Sequence, residues 1–482
     1  MKKSLPDPGL ELPIAFVPCS NGEYAPAAPT ERDRKAIEIF ARAAEENAKH
    51  TGVSRRDFVR SACGLATALG VMNLVYGCQR EGDGNGLGGG WPSYDVDRDA
   101  MLDPARACEK LGGDEFVFDV QTHHVDPSGA WRAKDPNAAI AIGTFPQAAC
   151  GEDDRLTCLG TKRFIREIFV KSDTAVACLT GLPSAPEVDS LPMEARAATR
   201  RIVERLSGSP RLLIHANVRP EVGPRELDAM SLAHERYANA GWKVYPGVAW
   251  RFDDEKIAVP FLERARAIGV KVVCAHRGIQ NDTALYGDLS SPREMIKMAK
   301  QYPDLSMLVY HSGFEGAITE GPYDPVNPRG IDRMVKGLEE FPTDNVYAEL
   351  GATFRALMTR PLELAHALGK LLKSVGEDRI LWGTDCIWFG SPAEQLAAFR
   401  AFQIPEELQE KHGYPALTPA IKAKILGLNA AKVYGVDPGA VRCAIEDDDI
   451  AKIKEAKIDD GWPLGGYGPK TRRELFEMFR RG

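Results

Sequence analysis

From about residue 114 onward the chain alternates short apolar runs with longer stretches in which apolar residues recur every three or four positions. The apolar runs fall at residues 116–120, 175–179, 212–214, 243–248, 270–274, 305–310, 346–350 and 379–381. Most are continuous rather than alternating, the pattern of parallel strands buried on both faces. Helical periodicity fills residues 193–206, 224–240, 259–268, 292–301, 331–340 and 361–373. Eight such strand–helix units predict an α/β fold, a (β/α)8 TIM barrel over residues 91–440. An open doubly wound sheet is the runner-up, but no G-x-G-x-x-G follows the first strand, which removes its usual phosphate-binding signature. The first connection, residues 125–162, is unusually long and carries Trp131, Arg132, Cys150 and Cys158. On the rim of a barrel it could roof a site. Whether the two cysteines pair is open at this level.

Upstream the pattern changes. Residues 1–53 are rich in Pro and Ala, with one mixed-charge helical stretch at 31–49, and are expected to form a poorly structured extension. Ser54-Arg55-Arg56-Asp57-Phe58 then leads into an uncharged run at 61–78. A basic pair ahead of an apolar segment is the layout of a secretory signal. The S-R-R-x-F pattern resembles the twin-arginine export signal. The run falls slightly short of the ~20 apolar residues of a membrane span. It ends in Val75-Tyr76-Gly77-Cys78, either a plain end to the apolar region or a segment similar to a lipobox, with Cys78 as a lipid anchor. A glycine-rich linker follows, so residues 54–90 read as signal plus linker. The expected location is periplasmic, or otherwise exported, with the twin-arginine machinery as a partner. The tail, residues 441–482, has an acidic stretch and then a basic amphipathic end. It would pack on the barrel or join subunits, a homodimer being the assembly in the second case.

Composition narrows the classes. The chain holds 61 Lys+Arg against 68 Asp+Glu, a net charge of −7, so no basic surface for nucleic acid is expected. Ten cysteines in 482 residues are too few for a disulfide scaffold, and no C-x-x-C suggests a zinc ribbon or redox pair.

The chemistry lies at the strand ends. The first strand gives Gln121-Thr122-His123-His124, the third His215, the fifth His276-Arg277, the sixth His311, the seventh Glu349 and the eighth Asp385. Of nine histidines, five stand at such ends, and a barrel gathers those ends on one face. Each alone reads best as a capping or core residue. Imidazoles and a carboxylate around one point form a first shell for a divalent metal.

Three segments carry a resemblance. Tyr302-Pro303-Asp304-Leu305 with His311-Ser312-Gly313, then Arg379-Ile380-Leu381-Trp382-Gly383-Thr384-Asp385, then Asn429-Ala430-Ala431-Lys432-Val433-Tyr434-Gly435 are similar to ordered motifs of the amidohydrolase-related branch of the amidohydrolase superfamily. The resemblance covers about residues 116–436. It implies one bound metal, Zn²⁺ or else Mn²⁺, held by His123, His276 and Asp385, with His311 polarising substrate or positioning water. Gln121 stands where the family carries a first histidine. It offers a carbonyl oxygen, a weaker and neutral donor. His124 faces the other way if the strand is regular.

The resemblance thus implies a metal-dependent hydrolase of a small organic substrate, with Asp385 as base. Non-oxidative decarboxylation on the same site is the alternative. A metal-free binding protein is a third reading, motivated by Gln121. His215 and Glu349 are expected to face the substrate. Arg277 would hold a substrate carboxylate or form a salt bridge at the barrel mouth. Trp388 would line an apolar pocket or pack in the core.

Overall fold

The computed structural model describes residues 12–17, 28–76, 93–143, 145–148, 150, 152–246, 250–278, 290–316 and 318–456. The expected glycine-rich linker, Cys78 and the basic end of the tail lie outside the described residues.

Eight strands pair in chain order: β1 Val117–Thr122, β2 Thr174–Leu179, β3 Leu212–Asn217, β4 Gly241–Val244, β5 Val272–His276, β6 Ser306–Tyr310, β7 Val346–Glu349 and β8 Ile380–Leu381. Every neighbouring pair is parallel. The sheet closes where β1 meets the segment after β8. Val120 N–H donates to Trp382 O at 3.0 Å, Asp385 N–H to Gln121 O at 3.0 Å and His123 N–H to Cys386 O at 2.6 Å. The result is the expected (β/α)8 TIM barrel, because continuous apolar strands need cover on both faces. Phe118, Val120, Val176, Cys178, Cys274, Leu308, Tyr310 and Leu381 fill one buried cluster. Tyr434, on the helix Asn429–Tyr434, packs against Phe118 with ring centroids 5.3 Å apart.

Some strand limits differ from expectation, with consequences for the site. β3 runs on through Asn217, so His215 lies within the strand rather than past its end. β4 stops at Val244, so Tyr245 is the first residue beyond it.

The stretch expected to be poorly structured carries α1, Glu31–Thr51. Thr30 and Asp33 form a reciprocal capping box at its start, and Gly52 ends it in the left-handed region at φ 71°. Its buried stripe Ala36, Phe40, Ala44 and Ala48 recurs every fourth residue. That stripe belongs to the same hydrophobic cluster as α2, Ala62–Tyr76, the apolar run. Among the described residues no helix is long and apolar enough to cross a membrane.

The barrel helices are α3 Met193–Ser207, α4 Pro224–Tyr237, α5 Glu255–Ile268, α6 Arg293–Gln301, α7 Asp332–Glu340, α8 Pro361–Ser374 and α9 Ala393–Ala401. α2 touches α8 and the short helix Pro104–Leu111. The tail begins with two helices, α10 Pro438–Ile445 and α11 Asp449–Glu455. It is pinned to the barrel by a buried pair, Arg211 Nη1 to Asp448 Oδ2 at 2.8 Å.

Candidate active site

β1 is irregular where it matters: its register against β2 shifts between Asp119 and Thr122. Buried Asp119 accepts the Gln121 and Thr384 N–H groups, each at 3.1 Å, and the Thr384 hydroxyl. Its carboxyl thereby ties the end of β1 to the residue before Asp385. Burial pushes Asp119 up to about 7, against those hydrogen bonds.

His123 Nε2 lies 3.0 Å from Asp385 Oδ1. His123 Nδ1 is 3.1 Å from Thr180 O, so Nδ1 carries a proton and Nε2 is turned inward to Asp385. His311 repeats the arrangement. Its Nδ1 lies 2.6 Å from Gly351 O, and its Nε2 is 3.5 Å from the Gln121 amide nitrogen. His276 meets His311 edge to face, with centroids 4.5 Å apart. His311 and Asp385 both adopt left-handed backbone, at φ 67° and 58°. Non-glycine residues held there cost of order 1–3 kcal/mol each, and they cluster at functional sites.

Gln121 stands in the middle. Its Nε2 donates to Asp385 Oδ1 at 3.0 Å and lies 3.5 Å from His123 Nε2. Its Oε1 is buried without a hydrogen-bond partner. Beneath it, Glu349 Oε2 accepts the His311 N–H at 2.9 Å and Oε1 accepts the Gly351 N–H at 2.5 Å. Burial pushes Glu349 up to about 8. Gly351 is required by this packing, since a Cβ there would collide with both Gln121 Oε1 and Glu349 Oε1.

The donors suit a divalent cation in kind: imidazole lone pairs, a carboxylate and an orphaned amide oxygen. Among the described residues no three His, Cys, Asp or Glu side chains are already gathered as a metal cluster. The Gln121 nitrogen, a donor group, occupies the space between them.

Of the other expected residues, Trp388 is at the site, stacked on His123 with centroids 5.6 Å apart and planes 17° apart. Phe145, from the long first connection, caps Trp388 edge-on at 5.3 Å, and Cys150 and Cys158 of that connection are disulfide-bonded. Glu349 is fully buried and supports His311 and Gly351 through their backbone N–H groups. His215 lies below the site, within reach of Tyr310 Oη at 3.4 Å and Tyr434 Oη at 3.0 Å, and burial pushes it down to about 3. Arg277 is fully buried with Nη2 3.9 Å from Glu294 Oε2, so of its two expected roles the structure shows the salt bridge. His124 turns outward to Thr199 Oγ1 at 3.0 Å, as strand alternation requires.

Sequence reasoning missed Asp119, Thr180 and Tyr245. Asp119 lies two residues before Gln121, a spacing that could have marked it. Thr180 acts through its backbone carbonyl, which leaves no signal in residue type. Tyr245 was hidden by extending the fourth strand too far. Its ring lies against His276 at 5.6 Å, and its hydroxyl donates to Gly181 O at 2.7 Å. It also walls a cavity of about 290 Å³ that includes Asn217, Arg219, Glu221 and Trp250.

Residues 173–436 match the family model described as amidohydrolase, more than half of the chain. The matched span includes His276, His311, Glu349 and Asp385 and begins after β1. Among solved structures, 5-carboxyvanillate decarboxylase from Sphingomonas paucimobilis is similar, with 15% identity over 67% of this chain and 100% of that one, at a TM-score of 0.42. A probable 2-pyrone-4,6-dicarboxylic acid hydrolase from Acinetobacter baumannii shares 11% identity over 66% of this chain and 99% of that one, at 0.40. A zinc-bound amidohydrolase from Burkholderia multivorans shares 14% over 67% and 100%, at 0.39. No curated protein matches the chain.

Proposed function

The chain belongs to the amidohydrolase family, and on that premise we propose that it is a metal-dependent hydrolase of a small organic substrate. One observation carries the reading: His123 Nε2 and Asp385 Oδ1 stand 3.0 Å apart, with the His311 Nε2 lone pair turned to the same centre. His123, His276 and Asp385 would hold the cation, with Gln121 as a further donor. Such an ion, when bound, polarises the bond to be cleaved and lowers the pKa of water toward neutrality.

The side chains divide the remaining work. Asp385 accepts the proton of the attacking water. His311 Nε2, an acceptor in this tautomer, orients that water. Glu349 and Gly351 fix the His311 ring and backbone. Trp388 and Phe145 keep bulk water from the His123 side. The cavity beside Tyr245 suits a small ligand, and the Arg219–Glu221 pair, 3.5 Å apart, gives it a polar end.

The decisive experiment compares wild type with Asp385→Asn on a panel of esters, amides and lactones. Hydrolysis by wild type, lost in a variant that still folds, is the expected outcome. Carbon dioxide release from a carboxylated substrate, without hydrolysis, would replace this reading with decarboxylation. Elemental analysis showing no metal in the active wild-type protein would overturn the metal dependence.

The proposal includes export by the twin-arginine route. Arg55 and Arg56 are exposed ahead of α2, and a disulfide between Cys150 and Cys158 suits an oxidising compartment. Replacing both arginines by lysine should leave the protein in the cytoplasm. Unchanged export would count against it.

A further inference from the structure

Three rim connections meet in the cavity beside Tyr245. Ser184 follows β2, Arg219 and Glu221 follow β3, and Tyr245 and Trp250 follow β4. All lie past C-terminal strand ends, the face on which a barrel gathers its chemistry. Tyr245 joins the cavity to the site, its ring 5.6 Å from that of His276.

The polar groups on the walls differ in how well they are served. Asn217 is spent, since its Oδ1 accepts from Arg196 Nη1 at 3.1 Å and its Nδ2 donates to Leu182 O at 2.7 Å. Arg219 keeps 39% of its side chain exposed, so water serves its guanidinium. Glu221, in the short turn Pro220–Val222, is served worst. Its Oε1 lies 3.5 Å from Arg219 Nε, an ion pair too long for a good hydrogen bond. Its Oε2 is buried and, among the described residues, has no hydrogen-bond partner. A charged acceptor shut from water and short of donors is costly, and a ligand that brings donors removes the cost. The surrounding charge has the same sign. Glu226 feels Glu221 and Glu187 as like charges and Arg219 as an opposite one, three carboxylates to one guanidinium. Arg196 is matched by Asp189 at 2.9 Å. By the wall that meets His276 the sign reverses, because Lys243 Nζ lies 4.9 Å from the Tyr245 ring centre.

We propose that this cavity selects a substrate bearing an ammonium group, with Glu221 as the specificity-determining acceptor and Tyr245 and Trp250 as aromatic walls. This rests on the hydrolase reading above and deepens it by naming the substrate class. An ammonium brings several N–H donors to the Glu221 carboxylate, a charge-assisted pairing stronger than a neutral one. Aromatic walls suit such a group, since ring faces attract cations. The bond to be cleaved then lies toward His276, where Lys243 disfavours a second cation. A substrate carboxylate would have to use Arg219. That guanidinium is already served by water and Glu221, so an anion relieves no unmet group and meets three like charges.

The test is direct binding to the full chain at neutral pH, read by calorimetry rather than turnover, with benzylamine, benzoate and benzyl alcohol as probes of similar shape. Benzylamine should bind about tenfold tighter than the other two. Glu221→Gln keeps the shape and removes the charge, and a melting curve checks that it folds. It should lose about tenfold for benzylamine and leave benzyl alcohol unchanged. Benzoate as the tightest probe, equal binding of all three, binding of none, or benzylamine affinity unchanged in Glu221→Gln would each overturn the inference. A second arm compares the hydrolysis of amino esters with that of their N-acetyl derivatives. The free amine should lower KM, and Glu221→Gln should abolish that advantage with little change in kcat. Equal hydrolysis of both would overturn the inference and leave the hydrolase standing. Glu221-dependent benzylamine binding without hydrolysis of any ester, amide or lactone would overturn the hydrolase and leave the cavity's preference standing.

Discussion

Asp119 accepts the backbone N–H of Thr384 at 3.1 Å, which couples the first strand to the residue preceding Asp385. The same carboxylate takes the Thr384 hydroxyl and the Gln121 N–H. One buried acid therefore sets the spacing of two groups on which the site depends. Asp119→Ala would strand three buried donors at once. A loss of about 2–3 kcal/mol is expected, since each stranded group carries a desolvation penalty. Urea unfolding measures it, and metal content should fall with it. Thr384→Val removes only the hydroxyl and should cost about 1 kcal/mol. Equal losses in the two variants would show that Asp119 does not act as the common acceptor.

Tyr245 touches both His276 and the cavity. Tyr245→Ala should therefore raise KM and lower kcat together, whereas Tyr245→Phe, which keeps the ring and loses the hydroxyl that donates to Gly181 O, should retain most of kcat. Steady-state kinetics on the substrate found by the panel separates these. A Tyr245→Ala variant with unaltered KM would place the substrate elsewhere.

The barrel itself is legible in the chain because buried parallel strands leave continuous apolar runs that polar loops cannot mimic. His123, His311 and Asp385 were legible for a related reason, since each stands at or just past a strand end. His215 was misplaced because β3 runs on past its apolar run through His215 and Asn217, two polar residues that an apolar run cannot mark. Arg277 is adjacent to His276 but on the opposite face, where it meets Glu294. The Gln121 environment was unreadable, because the carbonyls of Thr180 and Gly351 that aim the imidazoles belong to backbone. The helical stretch at 31–49 was visible, but its docking on α2 depends on a nonlocal match of small residues.

The segment closed by Cys150–Cys158 follows Phe145, which packs edge-on against Trp388. Replacing both cysteines by serine should lower stability by about 2.5 kcal/mol, at the low end for a disulfide because the loop between them is short. The larger effect should be on the site, as Phe145 then holds Trp388 less firmly. Hydrogen exchange across residues 145–159 should rise, and kcat/KM should drop several-fold. No change in either would assign the disulfide to local stability alone.

His366 gives the chain a defined acid sensitivity. Its Nδ1 lies 3.1 Å from Tyr414 Oη, and burial, with His412 and Lys370 nearby, pushes it down to about 4. In the unfolded chain a histidine titrates near 6.5. Above that value both states are neutral and the contribution to stability is fully present. Between about 6.5 and 4 the unfolded state binds the extra proton, so stability is lost as pH falls through this window, at up to about 1.4 kcal/mol per pH unit. His366→Gln cannot titrate and should show a shallower decline between pH 6.5 and 4.5 in urea midpoints. Parallel slopes for the two proteins would contradict the assignment.

The α1–α2 hairpin makes the last prediction. Phe40 is wholly buried in the α1 stripe and stacks near Phe16 at 5.6 Å, while Asp33 accepts the Tyr76 hydroxyl at 2.5 Å and Asn47 donates to Thr67 Oγ1 at 3.2 Å. The apolar face of α2 is thus covered by α1 on one side and the barrel on the other. Truncating Phe40 to alanine removes the largest piece of that cover, a change that costs about 3–5 kcal/mol in a packed core. Because α1 makes few contacts with the strands, the loss should appear as local opening rather than global unfolding. Limited proteolysis should then cut between residues 28 and 60 well below the melting temperature, with the barrel intact. Tyr76→Phe, which deletes one hydroxyl, should do the same to a smaller degree. If Phe40→Ala instead lowers the melting temperature of the whole barrel with no early cleavage, the hairpin folds as one unit with the catalytic domain.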